Sequence, residues 1–209
     1  MTVTLDGPDP AVDAPGQPTW RALTSTVRRC TACPELAASR TQVVPGVGPA
    51  ASDSPDVLLV GEAPGAQEDA FGVPFVGRSG QLLESLLAEA GLSRERLAVA
   101  NVLKCRPPAN RKPRRREVER CRPWLVRQIE LLDPAVILAL GGTAAEWFVG
   151  AGARIASLRA QPLTYAEKPL LVTYHPSAAI RYGPQGAPLA ALRADLATAA
   201  TLVRELRTP

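Results

Sequence analysis

Residues 56–91, DVLLVGEAPGAQEDAFGVPFVGRSGQLLESLLAEAG, constrain the fold more than any other part of the chain. The run Val57-Leu58-Leu59-Val60 is short and wholly apolar, which predicts a buried strand. It ends in Gly-Glu-Ala-Pro-Gly, where glycine permits backbone conformations closed to other residues. Glu68, Asp69 and Phe75 follow, and Gly77-Arg78-Ser79-Gly80 then opens a helix with Leu82, Leu83, Leu86 and Leu87 at its apolar positions. A strand, a loop and a helix in that order put the loop beyond the carboxyl end of a strand, where open α/β sheets bind their ligands. Neither GxxxxGK[ST] nor GxGxxG occurs in this loop, which disfavours phosphate binding by it. The bland alternative is a turn whose glycines only turn corners.

Three more apolar runs read as strands. Leu97–Ala100 ends at Asn101, Val136–Leu140 leads into Gly141-Gly142-Thr143 and a short helix ending near Gly150, and Leu170–Tyr174 delivers His175, the only histidine. Helical stretches cover Trp20 to Arg29, the segment from Arg115 with Val118, Cys121, Leu125, Ile129 and Leu132 at helical spacing, and about Pro188 to Arg207. The alternation predicts an α/β fold of three layers, α/β/α, around a central four-stranded parallel sheet. Parallel strands would bring Glu62, Asn101 and His175 to one rim. Between the second strand and the next helix, Pro107 and Pro108 stop any helix, so Lys104 to Arg111 should form an extended basic loop.

At 209 residues and 46% hydrophobic content the chain can bury one full core, and a single domain over residues 19–209 is expected. Residues 1–18, rich in Pro, Asp and Gly without periodicity, read as a disordered tail. No apolar run approaches membrane-spanning length, and the N-terminus has neither the basic start nor the apolar core of a signal peptide, so a cytoplasmic protein without a membrane partner is expected.

The charge is unevenly placed. Residues 102–128 hold ten Lys or Arg against Glu117 and Glu119, a local excess of eight on a chain of net charge +4. Such a block is the footprint of phosphate-backbone contact, and its plain alternative is a solvated helix start. The cysteines are Cys30, Cys33, Cys105 and Cys121. Without a signal peptide, Cys-x-x-Cys plus two more reads as a metal or cluster site rather than as disulfides, and four thiolates suit either zinc or an iron–sulfur cluster. A thioredoxin-like role for Cys30 and Cys33 would need a preceding strand and leave two cysteines unexplained.

GEAPGAQED, PFVGRSGQLL, NVLKCRPPANR and HPS, in that order with CxxC upstream, resemble the family-four, iron–sulfur type of uracil-DNA glycosylase over about residues 29–207. The resemblance implies a [4Fe–4S] cluster on Cys30, Cys33, Cys105 and Cys121 that is structural rather than redox-active. It implies hydrolysis of the N-glycosidic bond of uracil in DNA, an abasic product and a place in base excision repair, with the base flipped out of the stack first. Phe75 matches the aromatic on which the base stacks, and Asn101 the amide that reads its edge, donating to O4 and accepting from N3–H, which cytosine reverses. His175 matches the donor to uracil O2. Glu62 matches the motif carboxylate, while Ala63 stands where some other uracil glycosylases carry a water-activating Asp. Glu68 and Asp69 are candidates for positioning water or shaping the pocket, Asn110 for the water or the backbone, and Ala63 and Gly65 for the wall beside the base. Arg111, Arg114, Arg115, Arg116, Ser177, Ile180 and Arg181 are the expected DNA contacts, with Ile180 the remaining wedge residue where relatives often carry larger apolar groups. The stretch from Asn110 to Arg116 lacks the histidine with which a related group captures the uracil site covalently. Such enzymes are generally monomers, and a replication or repair partner is open. Two alternatives stand beside this reading: a glycosylase accepting further deaminated bases such as hypoxanthine or xanthine, and a non-catalytic, metal-stapled nucleic-acid-binding module.

Overall fold

The computed structural model describes residues 19–49, 54–159 and 161–207; the tail expected over residues 1–18 lies outside the described residues. The strands are β1 (Val57–Gly61), β2 (Leu97–Asn101), β3 (Val136–Leu140), β4 (Leu163–Tyr165) and β5 (Lys168–Thr173). They form one sheet in the order β2-β1-β3-β5-β4. The pairs β1–β2, β1–β3 and β3–β5 are parallel, and β4 pairs antiparallel with β5 at the edge. The expected four-stranded parallel sheet is therefore present and carries a fifth, antiparallel strand. That short strand joins β5 through Ala166 and Glu167, both at positive φ, and so lacks the glycine that advertises a tight hairpin in sequence.

The helices are α1 (Trp20–Arg28), α2 (Pro34–Ser39), α3 (Ala66–Phe71), α4 (Arg78–Glu89), α5 (Arg115–Leu132), α6 (Gly142–Val149), α7 (Ile155–Leu158), α8 (Pro176–Tyr182) and α9 (Ala187–Arg207). Residues of β1, β2 and β3 are buried throughout because helices cover both faces of the sheet, and period-two alternation sends successive side chains to opposite cores. Val57, Leu59, Val99 and Leu138 pack against Leu83, Leu86 and Leu87 of α4 and Leu192 and Leu196 of α9. Leu58, Val60, Ala98 and Ile137 pack against Leu125 and Ile129 of α5 and Ala144 and Trp147 of α6. Each fully buried leucine contributes about 1.5–3 kcal/mol. A third, smaller core joins Leu23 and Val27 of α1, Leu36 of α2, Leu103 and Trp124 with Cys105 and Cys121. Thr19 caps α1, its hydroxyl accepting from the Ala22 N–H at 3.1 Å.

From β1 the chain crosses to β2 on one side and returns to β3 on the other. Strand order thus reverses at β1 and opens a crevice at the carboxyl ends. Register places Gly61 beside Asn101 and Leu140 beside Thr173, so the segments leaving four parallel strands emerge at one rim.

Candidate active site

A cavity of about 430 Å³ opens at this rim. Its walls include Glu62, Ala63, Gly65 and Glu68 from the segment after β1, and Phe75 before α4. Asn101, Asn110 and Arg111 line it from β2 and the following loop, and His175 and Ser177 from the start of α8. Arg114, Arg115, Arg116, Ile180 and Arg181 are not in its wall. Gln67, Arg78 and Ser79 line it too, residues to which the sequence motifs assign no role in a site.

Two glycines let the wall close. A Cβ on Gly61 would stand 2.4 Å from Asn101 Oδ1 and 2.7 Å from Phe75 Cζ, so the last residue of β1 must be bare for both side chains to reach the cavity. A Cβ on Gly80 would lie 1.7 Å from the Phe75 carbonyl oxygen. Phe75 itself has φ of 56°, a left-handed conformation rare for a bulky residue, held by its packing against α4. Its ring lies 5.6 Å from the His175 ring, tilted by 31°.

The loop after β1 is fixed by Glu68, whose carboxylate accepts from the Gly65 N–H at 3.1 Å and the Gly77 N–H at 2.8 Å. Asp69 faces the other way. It is buried and accepts from the Thr41 N–H at 2.9 Å, tying α3 to residues 41–42 rather than to the cavity. Glu62 accepts from the hydroxyl of buried Thr143, a residue after β3 that no motif singled out. Asn101 is 3% exposed, and its side-chain amide has no hydrogen-bond partner among the described residues.

His175 is half-buried, and the loss of water around its ring pushes its pKa down to about 4, opposed by the negative charge of Glu68. Nδ1 accepts from the Ser177 N–H at 3.1 Å, as the N-cap of α8. A neutral ring that accepts at Nδ1 carries its proton on Nε2, which makes Nε2–H the free donor.

Cys30, Cys33, Cys105 and Cys121 line one small cavity of their own with Leu36, Leu103 and Trp124 as apolar wall and Arg40, Lys104 and Arg120 as cations. None forms a disulfide. Among the described residues no three His, Cys, Asp or Glu side chains are gathered tightly enough to hold a metal ion as they stand. The donor set is all sulfur, which selects soft metals and clusters. Burial pushes the Cys121 thiol up to about 12 and raises Cys33 and Cys105, so thiolates here need a positive centre among them. Arg40 already donates to the Cys105 sulfur at 2.9 Å. The residues fit a thiolate-held group.

The arginine block is only partly free. Arg111 donates to both oxygens of buried Glu117, at 2.6 and 2.9 Å, and to Glu35 at 3.2 Å; Arg114 is also paired with Glu35. Hydrogen bonds from Arg111 hold the Glu117 carboxyl below its usual range. Arg115 pairs with Glu119 at 2.7 Å on an exposed helix face. Arg116 and Arg181 are exposed. Ile180 is half-buried on α8.

A sequence profile of the Uracil DNA glycosylase superfamily matches residues 48–197. The chain is 45% identical over 157 residues to a type-4 uracil-DNA glycosylase of Thermotoga maritima, covering 74% of this chain and 80% of that one. Over 121 residues it is 48% identical to a type-4 uracil-DNA glycosylase of Archaeoglobus fulgidus, covering 58% of this chain and 59% of the relative. A type-4 uracil-DNA glycosylase of Pyrobaculum aerophilum is 40% identical over 167 residues, covering 74% and 81%.

Proposed function

The chain belongs to the uracil DNA glycosylase superfamily and, within it, to the type-4 enzymes, and from that membership we infer that it hydrolyses the N-glycosidic bond of uracil in DNA. The observation that carries the mechanism is the neutral His175, its Nε2–H free, beside Phe75 and the unpartnered Asn101 in one cavity.

Uracil flipped from the stack enters the cavity, where Phe75 packs on its face and Asn101 reads its O4 and N3–H. As the bond from N1 to C1′ breaks, the electron pair moves onto the base and negative charge collects on O2. The Nε2–H of His175 donates to that oxygen, an interaction that strengthens as charge develops and so acts on the transition state. The sugar becomes cationic, water adds at C1′ and gives up a proton, and the uracil anion takes up a proton through solvent; uracil and an abasic site result. Glu62, oriented by the Thr143 hydroxyl, is proposed to face the cationic sugar and hold the water, since Ala63 offers no side-chain base. Glu68, with both oxygens engaged by backbone amides, is proposed to shape the wall, as are Ala63 and Gly65. Asn110 and Ser177 are proposed to meet the DNA backbone with the exposed arginines. Cys30, Cys33, Cys105 and Cys121 would hold a [4Fe–4S] cluster, whose contribution is a crosslink between α2, the loop after β2 and α5. No helix among the described residues is long and apolar enough to cross a membrane. A single-domain, monomeric, cytoplasmic enzyme is proposed.

The test uses end-labelled oligonucleotides holding one uracil as single strand, U:A or U:G, followed by alkali. Cleavage at uracil is expected, with a broad visible band from the cluster. His175→Ala is expected to lower kcat by ~10²–10³ while DNA affinity stays, by analogy with loss of an oxyanion donor. Undiminished cleavage would remove His175 from this role. Hypoxanthine and xanthine oligonucleotides measure the breadth of the pocket, and binding of every strand without cleavage would favour the nucleic-acid-binding module.

A further inference from the structure

Lys104 is sealed from solvent at 1% exposure and heads the fully buried side chains by volume, yet nothing in the reaction above uses it. A buried ammonium costs several kcal/mol unless its N–H groups are met. Here Nζ donates to the main-chain carbonyl of Asn101 at 2.6 Å and to Gln128 Oε1 at 2.5 Å. Gln128 is itself fully buried and fixed, because its Nε2 donates to the Pro45 carbonyl at 2.6 Å. The stem of Lys104 begins one residue before Cys105, and its main-chain carbonyl accepts from the Val44 N–H at 2.8 Å. Side chain and backbone of one residue thus join the wall of the cysteine cavity to the end of β2.

Asn101 needs such a hold. It is the last residue of β2, an edge strand of the sheet, and its side-chain amide has no partner among the described residues to aim it. The ladder holds one side of the peptide from which that amide projects, the Val102 N–H donating to the Gly61 carbonyl at 2.9 Å, and the ammonium meets its carbonyl on the other side. We propose that Lys104 is a positioning residue for base recognition: its ammonium, anchored by Gln128, pins the Asn101 carbonyl and so sets the amide that reads uracil. This rests on the base-reading role given to Asn101 above. A neutral side chain of similar length fills the space but donates nothing.

The experiment compares Lys104→Met, Asn101→Ala and the double variant, each purified with its cluster, in three measurements: inhibition by free uracil, KM and kcat on a single-stranded uracil oligonucleotide, and visible absorbance per chain. An edge-reading bond exists before and during bond breaking, so Lys104→Met should raise KM and the uracil inhibition constant roughly tenfold or more while kcat changes less, with absorbance retained. In the Asn101→Ala background the same substitution should add about twofold or less, because the two act as one unit. Equal losses in both backgrounds, or uracil binding unchanged in the single variant, would overturn the assignment. If Lys104→Met loses absorbance or does not fold, Gln128→Met keeps the lysine and removes its anchor; it should show a smaller KM effect that also vanishes in Asn101→Ala, and an additive effect overturns the proposal. A parent enzyme that leaves uracil uncut, or Asn101→Ala as active as the parent, would instead sink the functional reading on which this rests.

Discussion

Replacing Gly61 by alanine probes the uracil pocket without touching any residue given a chemical role. Gly61 does not have positive φ, so alanine fits its backbone, and the whole effect comes from one methyl group. That methyl would stand 2.4 Å from Asn101 Oδ1, and 2.7 and 2.9 Å from two atoms of the Phe75 ring. Ordinary contact begins near 3.4 Å, so the amide must retreat by about 1 Å or the ring must tilt away. Overpacking of this size costs about 1–3 kcal/mol of stability, and alanine's lower unfolded-state freedom returns up to about 1 kcal/mol of it. The fold should therefore survive with a modest fall in melting temperature. A misplacement of about 1 Å in the groups that hold a substrate costs on the order of 10²-fold in rate. Excision kinetics on a single-stranded uracil oligonucleotide, beside a thermal melt, should then show kcat/KM lowered about a hundredfold in a folded enzyme. Cleavage within threefold of the parent would show that uracil does not sit between Asn101 and Phe75.

His175 makes a prediction in pH. Its folded pKa of about 4 lies below the ordinary 6.5, so the unfolded chain takes up its proton first as pH falls. The contribution of this group to stability is full above about 6.5, declines below it and levels off near 4, a change of about 3.4 kcal/mol at 1.36 kcal/mol per pH unit, reduced to the extent that solvent still reaches the half-buried ring. Because the donor stays neutral down to that range, kcat should show no acid limb near 6.5, and a limb there would refute the neutral-donor assignment. Glu117→Ala removes both bonds from Arg111 and one from the Arg114 N–H, and should lower stability by about 2–3 kcal/mol in urea. An unchanged urea midpoint would show that this pair does not hold the loop. Removing exposed Arg116 and Arg181 together should flatten the salt dependence of single-strand binding by roughly 1.4 in log–log slope if both meet phosphates, and an unaltered slope would exclude them.

Much of the site was legible because the buried strands announce themselves. Apolar runs with no polar interruption located β1, β2, β3 and β5, and parallel pairing then obliged Glu62, Asn101 and His175 to meet. Contacts between segments far apart in sequence were not legible. Thr143 resembles any residue after a strand until β1 and β3 lie side by side and its hydroxyl meets Glu62. The pairing of Arg111 and Arg114 with Glu35, more than seventy positions away, is likewise invisible in the sequence. The helices α2 and α3, six residues each, are too short to display a 3.6-residue period.

The loop after β2 explains why a sheet of this kind would need cysteines at all. Ladder-like bonds continue from the sheet only as far as Leu103, whose N–H donates to the Glu62 carbonyl at 3.0 Å. Beyond it the chain is extended and proline-rich, and Ala109 and Asn110 both sit at positive φ, 52° and 55°, a conformation that asparagine adopts readily and that costs alanine on the order of 1 kcal/mol. Turns onto the Pro107 and Pro108 carbonyls and a bond from Arg106 Nε to Asn110 Oδ1 at 2.8 Å hold it locally, and Asn110 and Arg111 reach the cavity wall. Two anchors bracket this turn: Glu117, gripping Arg111 on the far side, and Cys105 on the near side. With Cys105 joined through a cluster to α2 and α5, both ends of the loop would be fixed to rigid elements. Such a crosslink would serve at any oxidation state, because what it would supply is the position of Cys105.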